Sequence, residues 1–492
     1  MPPLPGPTWQ PKPEDYHRVF QEQNPWHITG AIPEAWTLGV ERPLAVRLPG
    51  RLQTSALHRF QLILGPRRVG KTTAMYQMLR RLLAEGVAPR RLWWFRLDHP
   101  LLMQLPMDQL VRPAIEAAAA TAESPVFLFL DELAYARQWD LWLKTLFDER
   151  WPVRLVGTSS STAALKDRML ESGVGRWEEQ YLAPYTFTEY LALAGEPSTL
   201  PAADSLWETL AAVVREPPSL ASLASHRRRF LLTGGFPELL SLITDSAADE
   251  QTLLLQSQKI LRTDAVERAL YKDIPQTFDV TDPMLLERLL YTLAGQVCGL
   301  LSPTKIGQNL DGMARPTFDR YVSYLERAFL IFTLPNHSGS ELSKQKRGRK
   351  LYFVDGAVRN AALQRGIGPL SDAVEMGLLM ENLVAGHLHA LAQQSGVRLY
   401  HWRDGDDEID LVYDHPSHPV AFEIASSATH GRRGIEAFMQ RFPRFAGRCY
   451  LVAPDIPALP PTQSSVGTLP LDLLLLALGA QTERELSQRL SI

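Results

Sequence analysis

The chain has 492 residues, 45% hydrophobic and 21% charged, a formal net charge of −3 and two cysteines, Cys298 and Cys449. That length calls for several cores rather than one. The charge excludes a globally basic nucleic-acid coat, and two distant cysteines exclude a disulfide framework or a cysteine-built zinc site. Residues 1–46, rich in proline and aromatics, read as an irregular strap packed on a domain. The opening "MPPLPGPTWQPKPED" lacks the apolar core of a secretory signal, and "LDLLLLALGA" from Leu471 is about half the length a bilayer span needs. A cytoplasmic protein with no membrane partner is expected.

From Arg51, "FQLIL", "RLWWFRLD", "PVFLFL" and "VRLVG" are short apolar runs of the buried parallel-strand kind. "KTTAMYQMLRRLLAEG" and "MDQLVRPAIEAAAATA" lie between them at helical spacing, so residues 47–200 predict an α/β core with a parallel sheet. Residues 201–275 turn helical, a lid or insert interrupted by the glycine turn in "TGGFPELL". Residues 276–365 read as a winged-helix-like segment with a basic hairpin. Residues 366–455, with "RLYHW", "IDLVYD", "VAFEIA" and "CYLVAP", read as a second α/β domain, and 456–492 as an extension.

"LILGPRRVGKTT" fits G-x-x-x-x-G-K-[ST] from Gly65 through Thr72, after an apolar strand and before an amphipathic helix. Gly65, Pro66, Arg67, Arg68, Val69 and Gly70 form a loop whose backbone N–H groups cradle phosphates. Lys71 reaches the β- and γ-phosphates, and Thr72, followed by Thr73, ligates Mg²⁺ at the helix N-terminus. "PVFLFLDELAY" ends a buried strand in two carboxylates. Asp131 is placed to hold the Mg²⁺ of ATP, and Glu132 to deprotonate the attacking water. After "VRLVG", the hydroxyls of Thr158, Ser159 and Ser160 fall near a γ-phosphate or act as helix caps. Arg168 and Arg176 are either surface ion-pair residues or contacts to a γ-phosphate. That contact is made within the chain or across the boundary of a homo-oligomer.

The ordered set "NPWH", "LILGPRRVGKTT", "VFLFLDEL", "VGTSSSTAALK", "GVGRWEEQYLAPYTFTEYL", "GGFPELL", "KLYFVDGAVRNAAL" and "GLLMENLVAGHLHAL" resembles a group of prokaryotic AAA-type ATPases with a C-terminal domain of unknown function. The likeness runs from about residue 24 to residue 455. It implies an ATPase core, a helical unit with a winged-helix segment, and a restriction-endonuclease-like C-terminal fold. Carried over, Lys71, Thr72, Asp131 and Glu132 match the ATPase motifs, and Arg176 matches the family's Gly-Arg.

The C-terminal segment raises its own question. Nucleases of that fold surround a metal with a helix glutamate, an aspartate and a glutamate, and a lysine two residues on polarises the water. Here Glu381, Asp410 and Glu423 supply the acids, but Ala425 stands where the lysine belongs. "VAFEIAS" alternates, so residues 423 and 425 share a face and a lysine introduced at 425 is expected to extend beside Glu423. The last lysine in the chain is Lys350. The expectation is a nuclease-like module without efficient hydrolysis. DNA contact is expected, if anywhere, at "SPTKIGQNLDGMARPTFDRYVSYLERAFLI" and along Lys344–Lys350, each of which also reads as plain packing or a solvated hairpin. In "SPTKIGQ" Ser302 is placed to cap a helix, Pro316 to open the next, and Phe318, Tyr321, Val322, Leu325 and Phe329 to bury its face. The whole reads as an ATP- and Mg²⁺-dependent AAA-type ATPase. The alternatives are a nucleotide switch with little turnover and an ATP-regulated, Mg²⁺-dependent nuclease.

Overall fold

β1 (Phe60–Leu64) is buried at every residue and has strand neighbours on both sides in a five-stranded sheet. The computed structural model describes all residues except 1–10, 55–58, 161–174, 199, 219–222, 246–248, 279, 339–347, 428 and 492. It forms two compact units, residues 1–64 with 71–180, and residues 65–70 with 181–492.

In the first unit, β2 (Leu92–Arg96), β3 (Val126–Asp131), β4 (Val153–Ser159) and β5 (Trp177–Tyr181) complete the sheet in the order β2-β3-β4-β1-β5. β2 with β3, β3 with β4, and β4 with β1 are parallel. The four apolar runs are therefore strands, as their composition predicts. β5, "WEEQY", was not anticipated: an edge strand has one neighbour, so Glu178 and Glu179 interrupt its apolar pattern.

The expected irregular strap is instead helical over much of its described length, with helices Pro13–Gln23, Trp26–Thr29 and Pro43–Thr54. The first has its proline in the opening turn, where no N–H is needed. This segment finishes the β2 edge. The Asn24 amide accepts from Trp94 N at 2.7 Å and donates to Trp94 O at 3.1 Å, and the fully buried Trp26 donates from Nε1 to Leu92 O at 2.9 Å.

From Phe187 to Ala294 the described elements of the second unit are helices, and its residues Arg262–Glu267 and Ala269–Asp273 are π-helical. Helices Pro283–Ala294, Pro303–Asn309 and Arg315–Arg327 then precede an antiparallel pair, β6 (Ile331–Leu334) with β7 (Lys350–Phe353). Ser302 makes no side-chain cap, whereas Pro316 does sit in the first turn. Phe318, Tyr321, Val322 and Leu325 are buried as their spacing predicts. Phe329 lies beyond the helix end, at φ 56°.

Helix Ala373–Ser395 leads into β8 (Leu399–Asp404), β9 (Asp407–Tyr413), β10 (Val420–Ile424), β11 (Cys449–Ala453) and β12 (Gly467–Pro470), a mixed sheet in the order β12-β11-β10-β9-β8. The presumed extension thus supplies a strand parallel to β11. It also supplies the helix Leu471–Ser491, whose run Leu471–Leu478 is buried. Thr209 donates to Gln481 Oε1 at 2.7 Å, and a Cβ at Gly479 would stand 2.3 Å from the Thr188 hydroxyl. Among the described residues no helix is long and apolar enough to cross a membrane.

Candidate nucleotide site and a buried lysine–carboxylate cluster

Parallel pairing brings the C-terminal ends of β1, β3 and β4 to one edge of the first unit. Lys71 opens the helix Lys71–Ala84 there and is 7% exposed. Thr72 Oγ1 donates to Asp131 Oδ2 at 2.8 Å, and Thr158 Oγ1 donates to Asp131 Oδ1 at 2.5 Å. Burial pushes the Asp131 carboxyl above its ordinary range, and these two hydroxyls and the Lys71 charge oppose that rise. Thr158 Oγ1 also accepts from Glu132 N at 3.0 Å. Glu132 itself sits at φ 55°, a left-handed conformation that a non-glycine residue holds only where its surroundings enforce it. Ser160 donates to Glu132 Oε2 at 3.4 Å, and Ser159 is buried at the end of β4. The Thr72 hydroxyl and the Asp131 carboxylate are adjacent hard-oxygen donors, the kind that fits Mg²⁺. Sequence reading grouped Thr158 with hydroxyls near a γ-phosphate. Its hydroxyl bridges the Asp131 carboxylate and the Glu132 backbone N–H.

Arg176 stands elsewhere. Phe60 N, at the start of β1, donates to Arg176 O at 3.0 Å. The guanidinium is held by both oxygens of Asp148, at 2.8 and 2.9 Å. The five residues of β1 span about 16 Å, so Arg176 lies at the sheet end opposite Leu64. An in-chain contact between Arg176 and a γ-phosphate is therefore withdrawn. Arg168 lies outside the described residues.

The loop Gly65–Gly70 belongs to the second unit. A Cβ on Gly65 would stand 2.2 Å from Leu182 O, so close backbone approach demands glycine there. Arg68 at φ 67° and Gly70 at φ 87° both adopt left-handed turns. The arginine side chains do not point away as spare cations. Arg67 makes a bidentate pair with Asp273 at 2.5 and 2.6 Å, both groups nearly buried, and Arg68 pairs with Glu238 and Asp264. Asp264 and Asp273 lie on the π-helical stretch, a geometry often found at functional positions.

The C-terminal acids do converge, and on an unexpected partner. Lys350, from β7, is 3% exposed in its side chain. Its Nζ lies 2.7 Å from Asp410 Oδ1, 2.8 Å from Glu408 Oε1 and 2.9 Å from Glu381 Oε1. Burial alone would lower the ammonium pKa, but the carboxylates, Asp410 foremost, hold it well above its ordinary value. Burial lifts Glu381 to about 7 and Glu423 to about 9, with Asp410 adding to both. Glu423 Oε1 lies 3.2 Å from His430 Nε2, while its Oε2 is buried with no hydrogen-bond partner among the described residues. Ala425 packs in an apolar cluster with Ala421, Ile435, Phe438 and Leu451. One expectation is corrected here: Lys350 is a buried ion-pair residue and not part of a phosphate-binding hairpin, while position 425 is buried within that apolar cluster. Lys344, Lys346 and Arg347 lie outside the described residues, and Arg349 pairs with Asp319 at 3.5 Å. Glu408 was missed, although its spacing of two from Asp410 on β9 was a usable signal.

Residues 58–191 match a family described as AAA domain. Residues 224–367 match a Domain of unknown function (DUF8612), and 376–457 another (DUF4143). The chain is 27% identical over 363 residues to the Uncharacterized protein MJ1637 of Methanocaldococcus jannaschii, covering 71% of this chain and 72% of that one. It is 22% identical to an Uncharacterized protein of Haemophilus influenzae, covering 75% and 84%. Among solved structures, Thermotoga maritima RuvB, a Holliday junction branch migration motor, aligns at 15% identity and a TM-score of 0.30 over 59% of this chain and 87% of that one. The Aeropyrum pernix Orc1 protein in complex with DNA aligns at 14% identity and a TM-score of 0.30, over 70% and 97%. The AAA match covers the strands and loop described above, so over residues 58–191 the chain is similar to an AAA domain.

Proposed function

We propose that this protein binds ATP with Mg²⁺ and hydrolyses it in the cytoplasm. Gly65–Gly70, Lys71 and Thr73 bind the nucleotide phosphates, Thr72 and Asp131 serve the Mg²⁺ side, Ser159 serves the γ-phosphate side, and Glu132 takes the proton of the attacking water. The observation that carries this reading is the hydrogen-bonded set Thr72–Asp131–Thr158–Glu132. It fixes the Asp131 carboxylate and the Glu132 backbone before any ligand arrives, as electrostatic preorganisation requires. The test is a pair of variants. Lys71→Ala should lose ATP binding while keeping its circular-dichroism spectrum. Glu132→Gln should bind ATP and not turn it over, because an amide cannot accept the proton. Unchanged ATP affinity in the first would sink the phosphate assignment, and near-wild-type turnover in the second would place the base elsewhere.

The engaged loop arginines favour a coupled reading, in which nucleotide occupancy is sensed by the helical segment through Arg67–Asp273 and Arg68–Asp264. The C-terminal module is, in this proposal, nuclease-like in fold and without hydrolytic activity. Its output is then conformational or binding, with DNA at the helical segment ending in Arg327 as the candidate partner. Measuring ATP affinity of Asp273→Asn tests the coupling: no change would disconnect the helical segment from the loop.

A further inference from the structure

The nuclease-like reading of the C-terminal module implies a divalent metal held by Glu381, Asp410 and Glu423. The geometry of these residues does not fit one. The oxygens of Asp410, Glu408 and Glu381 stand 2.7–2.9 Å from a common centre, which is the Lys350 nitrogen. That is the radius of an ammonium shell. Mg²⁺ needs oxygens at about 2.1 Å and Ca²⁺ at about 2.3–2.6 Å. Of the other acceptor positions in the cluster, Glu423 Oε2 is buried without a hydrogen-bond partner among the described residues, but Asp410 and Glu381 are each shared with a further donor. Ile424 N donates to Asp410 Oδ2 at 2.9 Å, and Tyr352 Oη donates to the same Glu381 Oε1 at 2.8 Å. Among the described residues no group of three or more His, Cys, Asp or Glu is arranged to hold a metal.

We infer that Lys350 is the resident cation of this cluster, an internal ammonium standing where a nuclease-like site would place its metal, so that the wild-type module neither needs nor binds a divalent ion. This rests on the reading that the module is not a working nuclease. The chemistry of the lysine supports it. An ammonium has three N–H donors and here meets three carboxylate oxygens, so its hydrogen-bonding capacity is filled. With no lone pair, it cannot serve as a base for water. The placement is also built rather than incidental. Glu408 and Asp410 alternate on β9 and so share a face, Glu381 comes from the helix Ala373–Ser395, and the lysine enters from β7. Removing it leaves several acids buried without a cation, which is a site in want of one.

The experiment uses nucleotide-free, full-length protein, so that no Mn²⁺ enters with ATP. Calorimetric titration with Mn²⁺ and thermal melts in Mn²⁺ and in EDTA are run on wild type, Asp410→Asn, Lys350→Met and Lys350→Met/Asp410→Asn. Wild type should show no saturable Mn²⁺ binding below about 1 mM and the same Tm in both buffers. Lys350→Met should melt lower in EDTA, take up one Mn²⁺ and recover Tm with it. The double variant should lose that response. Mn²⁺ binding by wild type that Asp410→Asn abolishes overturns the inference, as does a folded Lys350→Met that gains no Mn²⁺ site. Should Lys350→Met not fold, a neutralised variant, Lys350→Met/Asp410→Asn/Glu381→Gln, decides. Its folding without metal supports a purely charge-balancing lysine, and its failure assigns Lys350 a shape role and overturns the inference. A plasmid-nicking assay separates the two readings. Nicking by wild type that Asp410→Ala stops defeats the inactive-module reading, whereas Mn²⁺ binding without nicking defeats this inference alone.

Discussion

Replacing Thr158 by valine removes one oxygen and almost nothing else. That oxygen donates to Asp131 Oδ1 at 2.5 Å and accepts from Glu132 N at 3.0 Å, and the residue is 1% exposed. A hydrogen bond to a charged group contributes about 1.5–3 kcal/mol, and an orphaned buried N–H costs about 1–3 kcal/mol. Some relaxation is expected, so the loss should be about 3 kcal/mol, or roughly 6–12 °C in the melting transition of a unit of this size. The chemistry should shift as well. The Thr158 hydroxyl opposes the burial that raises the Asp131 pKa. Without it, that pKa rises further, and the acid limb of ATP turnover should move to higher pH. Melts and a pH–rate profile for Thr158→Val and Thr158→Ser test both effects. Serine keeps the hydroxyl and loses one methyl, about 1 kcal/mol, so it should sit near wild type. If valine melts with wild type and the rate profile does not move, the bridge from the Asp131 carboxylate to the Glu132 N–H contributes nothing.

Ala425→Lys should destabilise the protein and not create a nuclease, because the new ammonium enters the cluster of Ala421, Ile435, Phe438 and Leu451. A cost of about 3 kcal/mol or more is expected; a stable variant that nicks plasmid DNA would refute the packing argument. Glu423 carries a pKa raised to about 9, so between its ordinary value and 9 the folded state binds more protons than the unfolded one. That part of the stability is full at low pH and falls as pH rises through this window. Glu423→Gln should flatten the decline, as urea melts from pH 5 to pH 9 would show, and an unchanged slope would place the titration elsewhere. Arg176→Ala should leave ATP turnover unchanged, since the side chain is engaged by Asp148 at the far end of the sheet. Lost turnover with intact ATP binding, dependent on protein concentration, would instead reveal a role across a subunit boundary.

The features that could be read directly from the sequence are those made by neighbours in the chain. The phosphate loop is a run of eight residues, Asp131 and Glu132 are adjacent, and β1 to β4 announce themselves as mainly apolar runs because strands buried on both faces are dominated by apolar residues. β5 escaped because Glu178 and Glu179 break its apolar pattern, and β12 because "GTLP" is only four residues with a glycine and a proline at its ends. The N-terminal helices escaped because prolines punctuate a linear pattern, whereas here Pro13 opens its helix in the first turn and Pro49 is carried inside the helix Pro43–Thr54. The roles of Thr158 and Lys350 were settled only in three dimensions. Thr158 reaches an acid 27 residues away, and Lys350 one 60 residues away. No local spacing records such pairings: they arise when sheet register and helix packing carry donors and carboxylates into one dry volume, where an unpaired charge is too costly to leave. The absence of lysine at 425 was correctly legible. What fills the cation's place was not, because the answering lysine arrives from a different pair of strands.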